Sequence, residues 1–212
     1  MSEFLPAIGI ALGYLVGAIP SGLLIGKGFY GVDLRKQGSG NIGFTNAWRT
    51  LGKAPGIGVL VADVGKAYGS VALIPLFFAG DMAEYPLIIA FATLVGNLFN
   101  MFLGFKGGKG AASGLGVFLA LVPLPMLIAF AVFLVLAFST RYVSLGSMSG
   151  AVALPAGIAV FDGFTPTFWV AAACGAFVIF KHRGNIKRLL EGSEPKFGKK
   201  AGAAGEETSE TS

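Results

Sequence analysis

The chain has 212 residues, of which 54% are hydrophobic and only 13% charged, with a mean hydropathy of +0.74. A soluble domain carries roughly 25% charged residues, so the composition excludes a disordered chain and disfavours an ordinary soluble enzyme. One Cys (Cys174) and one His (His182) exclude a disulfide framework and any His/Cys metal cluster, and the net charge is +5.

A transmembrane helix needs about 20 mostly apolar residues. In chain order the candidates are 4–26, 56–80, 85–105, an unusually long stretch over 111–140 broken by Pro123 and Pro125, then 143–161 and 165–180. The first has neither a basic start nor a small-residue cleavage site, so it reads as a retained span rather than a signal peptide. The 33 glycines suit close helix packing in lipid.

Charge bias decides whether 111–140 crosses once or twice. Basic residues gather on the cytoplasmic side of short loops. With seven spans and the N-terminus outside, all the Lys and Arg except Lys66, which lies within a span, face the cytoplasm. The outer side receives Glu3, Asp81, Glu84 and Asp162 and no basic residue. A single crossing would put Arg141 and the basic tail outside. The expected architecture is therefore an all-α membrane protein of seven transmembrane helices, two of them short and both from 111–140, with the C-terminus cytoplasmic. Residues 1–197 form one domain, and 198–212, ending in Ala, Gly, Glu, Ser and Thr, is expected to be a disordered polar tail.

This topology gathers three polar, glycine-rich segments on the cytoplasmic face: 38–49, with Gly38-Ser39-Gly40-Asn41 and Thr45-Asn46-Ala47-Trp48-Arg49; 105–110, Phe-Lys-Gly-Gly-Lys-Gly; and 181–194, from Lys181-His182-Arg183-Gly184-Asn185 to Glu194. Together they offer hydroxyls, amides, cations and exposed backbone N–H groups, which is equipment for holding phosphates. Gly38, Gly40 and Gly43 spell a dinucleotide fingerprint, but no strand precedes them. Gly104 to Lys109 approaches a nucleotide P-loop, but the spacing is one residue short and Gly110 stands where Ser or Thr should bind Mg²⁺. The physics common to those motifs survives: a glycine-rich turn entering a helix aims free N–H groups and a positive dipole end at an anion. Residues 106–110 fit either that role or a basic loop lying on anionic headgroups.

Asp63 and Lys66 lie three apart within the second span and can pair. The pair reads either as a structural brace or as a functional intramembrane site. His182 reads either as part of a solvated basic cluster with Lys181 and Arg183 or as a base. Ser39 has no visible base or third partner, so no hydrolase triad is supported.

Gly-Ser-Gly-Asn-x-Gly-x-Thr-Asn-x-x-Arg (38–49), Gly-Phe-Lys-Gly-Gly-Lys-Gly (104–110) and His-Arg-x-Asn-Ile-x-Arg-Leu-Leu-x-Gly-x-Glu-x-Lys (182–196) together resemble the PlsY family of bacterial integral-membrane glycerol-3-phosphate acyltransferases. Residues 14–20, Asp63-x-x-Lys66 and Tyr142-x-Ser144-Leu145 support the resemblance, which covers nearly all of 1–197 in family order. It implies a seven-helix enzyme of the bacterial inner membrane with a cytoplasmic-face site. That enzyme would move an acyl chain from acyl phosphate to the 1-hydroxyl of glycerol 3-phosphate, giving lysophosphatidic acid and phosphate, the first acylation of phospholipid synthesis.

By the same resemblance Ser39, Arg49, Lys109, His182 and Asn185 carry catalysis. Asn41, Thr45, Asn46, Gly107, Gly108, Gly110 and Ser144 contact substrate, the glycine turn gripping phosphate. Asp63, Lys66, Asn97 and Glu194 give support. No metal or other cofactor is expected. The expected partners are the two substrates and membrane lipids, without nucleic acid, on a monomer.

The chain departs from the family at Gly96-Asn97-Leu98-Phe99-Asn100, where Gly-His-x-Phe-Pro is usual, at Ile42 and Phe44 in place of Pro and Ala, and at Ala67 in place of Gly. Asn97 cannot ionise as His can. The competing readings are a transporter or binding protein for a small phosphorylated anion, an acyltransferase with another donor or acceptor or one weakened at Asn97 and Asn100, and a structural scaffold. A transporter needs polar groups at the bilayer midplane and an exit on the far side, and the one-sided motifs argue against it.

Overall fold

The computed structural model describes residues 4–198, so Glu3 and the expected polar tail beyond Gly198 lie outside the described residues. Among those described there is no strand. The helices are α1 (Leu5–Ala18), α2 (Ser21–Tyr30), α3 (Phe44–Leu51), α4 (Lys53–Phe78), α5 (Tyr85–Leu98), α6 (Ala111–Leu121), α7 (Pro123–Thr140), α8 (Val143–Phe161), α9 (Pro166–Lys181) and α10 (Arg183–Leu190). The helices α4, α5 (with its continuation to Leu103), α7 and α8 are each long and apolar enough to cross a membrane, and α1 with α2 passes the same test as one span bent by 47°. Their outward faces carry bare apolar side chains such as Leu76, Phe77 and Val160, each more than 70% exposed, as a lipid-facing surface requires.

The first apolar segment is not one straight helix. Pro20 has no N–H to donate and disfavours helical backbone at Ile19, so α1 ends at Ala18 and the chain turns into α2. The carbonyls freed at the break find other donors. Asn100 Nδ2 donates to the Ala18 carbonyl, and Lys66 Nζ donates to the Ile19 carbonyl, both at 2.5 Å.

The stretch 111–140 divides in two, as its prolines suggest, but unequally. The break falls at Val122, with Pro123 opening α7 where a missing N–H costs nothing. Only α6, with 11 residues, is short; α7 has 18 and is of full spanning length, which corrects the expectation of two short helices. The other short apolar helix is α9, with 16 residues.

Glycines let backbones touch. A Cβ on Gly17 of α1 would lie 2.0 Å from the Thr93 carbonyl oxygen, and one on Gly96 of α5 would lie 2.0 Å from that of Tyr14. The helices α1, α4, α5 and α6 form one group, α7, α8 and α9 another, and the two meet chiefly along α6 and α7. One buried cluster, including Phe118, Met126, Leu154, Ile158 and Ala171, joins the groups toward the end remote from the three motifs.

Candidate functional site

The segment between α2 and α3 is fixed by a single amide. Asn46, 2% exposed on α3, accepts from the Ser39 N–H at 2.9 Å and shares its own hydrogens among the carbonyls of Leu34, Gln37 and Asn41 at 2.8–3.0 Å. Asn41 in turn accepts from the Gly43 N–H at 2.8 Å. Gly38 and Gly40 take the positive φ angles of 55° and 71° that the turn demands. The Asn46 amide thus holds the loop and has little left for a ligand. Ser39, Thr45 and Arg49 are presented to a cavity of about 520 Å³ between the helix groups. Burial lowers the Arg49 guanidinium from its ordinary value; its Nη2 donates to the Pro195 carbonyl at 2.8 Å, and its Nε is buried without a partner.

The second segment corrects part of the expected phosphate grip. The Gly107 and Gly108 N–H groups donate to the carbonyls of Leu98 and Asn97, both at 3.2 Å, so they tie the loop to the end of α5 and do not point at an anion. A Cβ on Gly107 would lie 1.9 Å from the Asn97 carbonyl oxygen, which is why glycine is needed there. The free donors lie one turn later. Gly110, at φ 84°, precedes α6, whose first backbone bond runs from Gly114 to the Gly110 carbonyl. The N–H groups ahead of Gly114 are those that a helix start leaves unpaired. Ser113, 1% exposed, lines the cavity in this first turn with its hydroxyl unpartnered.

The third segment closes a network of charges. Lys109 Nζ donates to Asn185 Oδ1 at 2.5 Å, and Asn185 Nδ2 donates to Glu194 Oε1 at 2.7 Å. The Ser144 hydroxyl donates to the same oxygen and Arg188 Nε to Glu194 Oε2, both at 2.7 Å. Burial would raise the Glu194 carboxyl, but hydrogen bonds from Asn185, Ser144 and Arg188 outweigh it and hold the group below its ordinary value. Ser144 therefore serves Glu194 rather than standing free for a substrate. Burial, with Arg188 and Arg49 nearby and Glu194 opposing, lowers Lys109 to about 8.

Burial, reinforced by the charge of Lys109, lowers His182 to about 4, so the ring is neutral at pH 7. Its Nδ1 lies 2.8 Å from the Val178 carbonyl, an acceptor only, so Nδ1 carries the proton and Nε2 is an acceptor. His182 is 4% exposed and belongs to the cavity wall, not to a solvated basic cluster.

Asp63 and Lys66 pair at 2.7 Å, and Lys66 also holds the Ile19 carbonyl and approaches the Ser21 hydroxyl at 3.4 Å. These contacts make the pair a brace for the α1–α2 break at the edge of the cavity. Asn97, 8% exposed, lines the same wall.

Beyond Glu194 the chain crosses the mouth as a strap. The Phe197 N–H donates to the Arg141 carbonyl at 2.7 Å, and its ring lies 4.8 Å from that of Trp48 and 6.2 Å from that of Phe44.

Two cavity residues were given no role in the sequence reading, Ser113 and Arg188, the latter part of the third motif. Ser113 is three residues after Gly110, which opens α6, so it falls in the first turn next to the glycine turn; Arg188 is three after Asn185, on the same face of α10. Among the described residues no three His, Cys, Asp or Glu side chains gather as a metal site would need. The cavity is polar toward the three motifs and apolar between α6, α7, α8 and α9, where Leu115, Phe130, Phe133, Leu134 and Val178 line it. The cavity thus joins a polar end that includes Arg49, Lys109 and Ser113 to an apolar slot.

A family model described as glycerol-3-phosphate acyltransferase matches residues 7–192. A glycerol-3-phosphate acyltransferase of Trichlorobacter lovleyi is 46% identical over 192 residues, covering 89% of this chain and 95% of that one. One of Desulforamulus reducens is 44% identical over 187 residues, covering 88% and 92%. The fold is similar to crystal structures of PlsY, an integral membrane glycerol 3-phosphate acyltransferase. Its glycerol 3-phosphate form gives a TM-score of 0.84 at 37% identity, covering 91% of this chain and 96% of that one. Its lysophosphatidic acid form gives 0.81 at 36% identity, covering 91% and 95%.

Proposed function

The chain belongs to the glycerol-3-phosphate acyltransferase family of integral membrane enzymes, and from that membership we propose that it acylates the 1-hydroxyl of glycerol 3-phosphate with acyl phosphate as donor. The observation that carries this reading is the two-natured cavity: Arg49, Lys109 and the start of α6 at one end, an apolar slot at the other. An acyl phosphate has that shape and polarity, and a second phosphate-bearing substrate beside it accounts for the number of cations and N–H donors. A slot closed by apolar core at its far end does not suit a transporter, which needs a polar route across.

The reaction is a direct transfer. The 1-hydroxyl oxygen attacks the acyl carbonyl carbon, the new ester C–O bond forms, and the carbonyl–phosphate C–O bond breaks with its electron pair leaving on phosphate. The hydroxyl proton passes to a phosphate oxygen, since a phosphate monoester's second pKa near 6 makes it about basic enough. His182, its Nδ1 proton held by the Val178 carbonyl, serves through Nε2 as an acceptor that orients a hydroxyl. Lys109, Arg49, the Ser113 hydroxyl and the free N–H groups of α6 hold the anions and stabilise the charge developing on phosphate. Holding both substrates in reacting geometry supplies several kcal/mol of the acceleration.

The enzyme acts as a monomer with seven spans in the bacterial inner membrane, its polar end facing the cytoplasm, the side to which the positive-inside rule assigns its motifs. In liposomes, glycerol 3-phosphate with palmitoyl phosphate is expected to give lysophosphatidic acid, and Arg49→Ala to lower the rate by about a hundredfold or more. Equal turnover with palmitoyl coenzyme A or palmitoyl acyl carrier protein would overturn the assignment of the donor.

A further inference from the structure

The apolar slot has a built floor. At its inner end Phe118, Met126, Leu154 and Ala171 line the cavity while only 1%, 8%, 7% and 1% exposed. Immediately beyond, Ile158 and Phe168 belong to the packed core that joins the two helix groups and take no part in the cavity wall. The slot therefore ends on side chains, inside the protein, instead of running through it.

Its depth follows from helix rise. On α8, Ser144 lies in the polar network and Leu154 at the floor; along α9, His182 caps the polar end and Ala171 lies at the floor. At 1.5 Å per residue both separations come to about 15–17 Å. A zigzag hydrocarbon with C–C bonds of about 1.5 Å advances about 1.25 Å per carbon, so the slot takes about 12–13 carbons beyond the carbonyl. One gauche bend accommodates two more.

We propose that Phe118, Met126, Leu154 and Ala171 form a ruler that limits the acyl chain of the donor to about 14–16 carbons. The inference rests on the acyl-phosphate reading above. A longer chain has to kink or displace the core, so its carbonyl is withdrawn from the acceptor hydroxyl. The acceptor end of the site does not sense the difference.

The test is a series of saturated acyl phosphates running from about 10 to about 20 carbons, chosen to bracket that depth. Lysophosphatidic acid formation would be followed with the full-length protein in liposomes. Wild type is expected to peak at about 14–16 carbons and to fall by about tenfold or more at the long end. Ala171→Leu raises the floor and moves the peak about two carbons shorter; Met126→Ala lowers it and moves the peak longer. The KM for glycerol 3-phosphate stays unchanged in both. A flat wild-type profile, or variants that turn over substrate with an unshifted peak, would overturn the ruler. If Ala171→Leu does not fold, the profile of Met126→Ala decides alone. Wild-type silence at every chain length would overturn the acyl-phosphate reading, and the ruler would fall with it.

Discussion

Lys109 is the residue on which pH acts most directly. Burial lowers its ammonium to about 8, and a bound phosphate favours the charged form. Affinity for either phosphate-bearing substrate should therefore fall as pH rises above about 8, because the free protein then has to take up a proton to bind. kcat/KM, which reports the free enzyme, is expected to drop by about tenfold per pH unit beyond that point. Lys109→Arg keeps its charge at any accessible pH, so a slower Arg variant should still lack the alkaline fall. An alkaline limb that persists unchanged in Lys109→Arg would assign the titration elsewhere. Sequence spacing made Lys109 visible beside its glycines, but not its partner: Asn185 lies in another motif, and only folding brings Asn185 Oδ1 to the ammonium. Likewise nothing in the pattern around Asn46 distinguishes an amide turned inward on its own loop from one turned toward a ligand. The decision lies in three carbonyls supplied by Leu34, Gln37 and Asn41.

The broken first span shows how an element depends on a side chain from another. Pro20 interrupts the backbone ladder between α1 and α2, and Lys66 of α4 satisfies the Ile19 carbonyl while paired to Asp63. Removing one member of a buried pair leaves an uncompensated charge at a cost of about 3–5 kcal/mol, whereas replacing both with apolar groups is often neutral. Lys66→Met should accordingly lower the unfolding temperature in detergent markedly, and the double variant Asp63→Leu, Lys66→Met should recover only part of the loss, since the Ile19 carbonyl stays unpaired. A double variant as stable as wild type would show that the pair does not brace the break. Hydropathy alone reads 4–26 as one span, because the apolar run continues through Pro20; the bend is settled by the carbonyls that Asn100 and Lys66 satisfy. The division of 111–140 was legible, since Pro123 and Pro125 mark it, but its unequal halves depend on Val122 taking the break so early.

At the scale of the whole molecule, the two helix groups leave a slot between them, and the three polar motifs close one end of it. The grouping of the motifs could be read from charge bias, because short loops and the positive-inside rule constrain which segments share a side. The slot could not be read, since its walls are ordinary apolar positions, such as Phe130, Phe133 and Leu134, that look the same whether they face lipid, core or substrate. Asn97 stands on this wall without the ionisable group of the His usual at that position in the family, and the proposed direct transfer does not need one there. The proposed direct transfer needs no acyl-enzyme, because the donor already carries its leaving group. The most direct test is rapid-quench measurement of phosphate release from palmitoyl phosphate at enzyme concentrations near that of the donor, with and without glycerol 3-phosphate. Direct transfer predicts no burst without the acceptor and, with it, phosphate and lysophosphatidic acid in equal amounts. A burst of phosphate equal to the enzyme present, in the absence of acceptor, would mean that the chain takes the acyl group onto itself and would contradict the account.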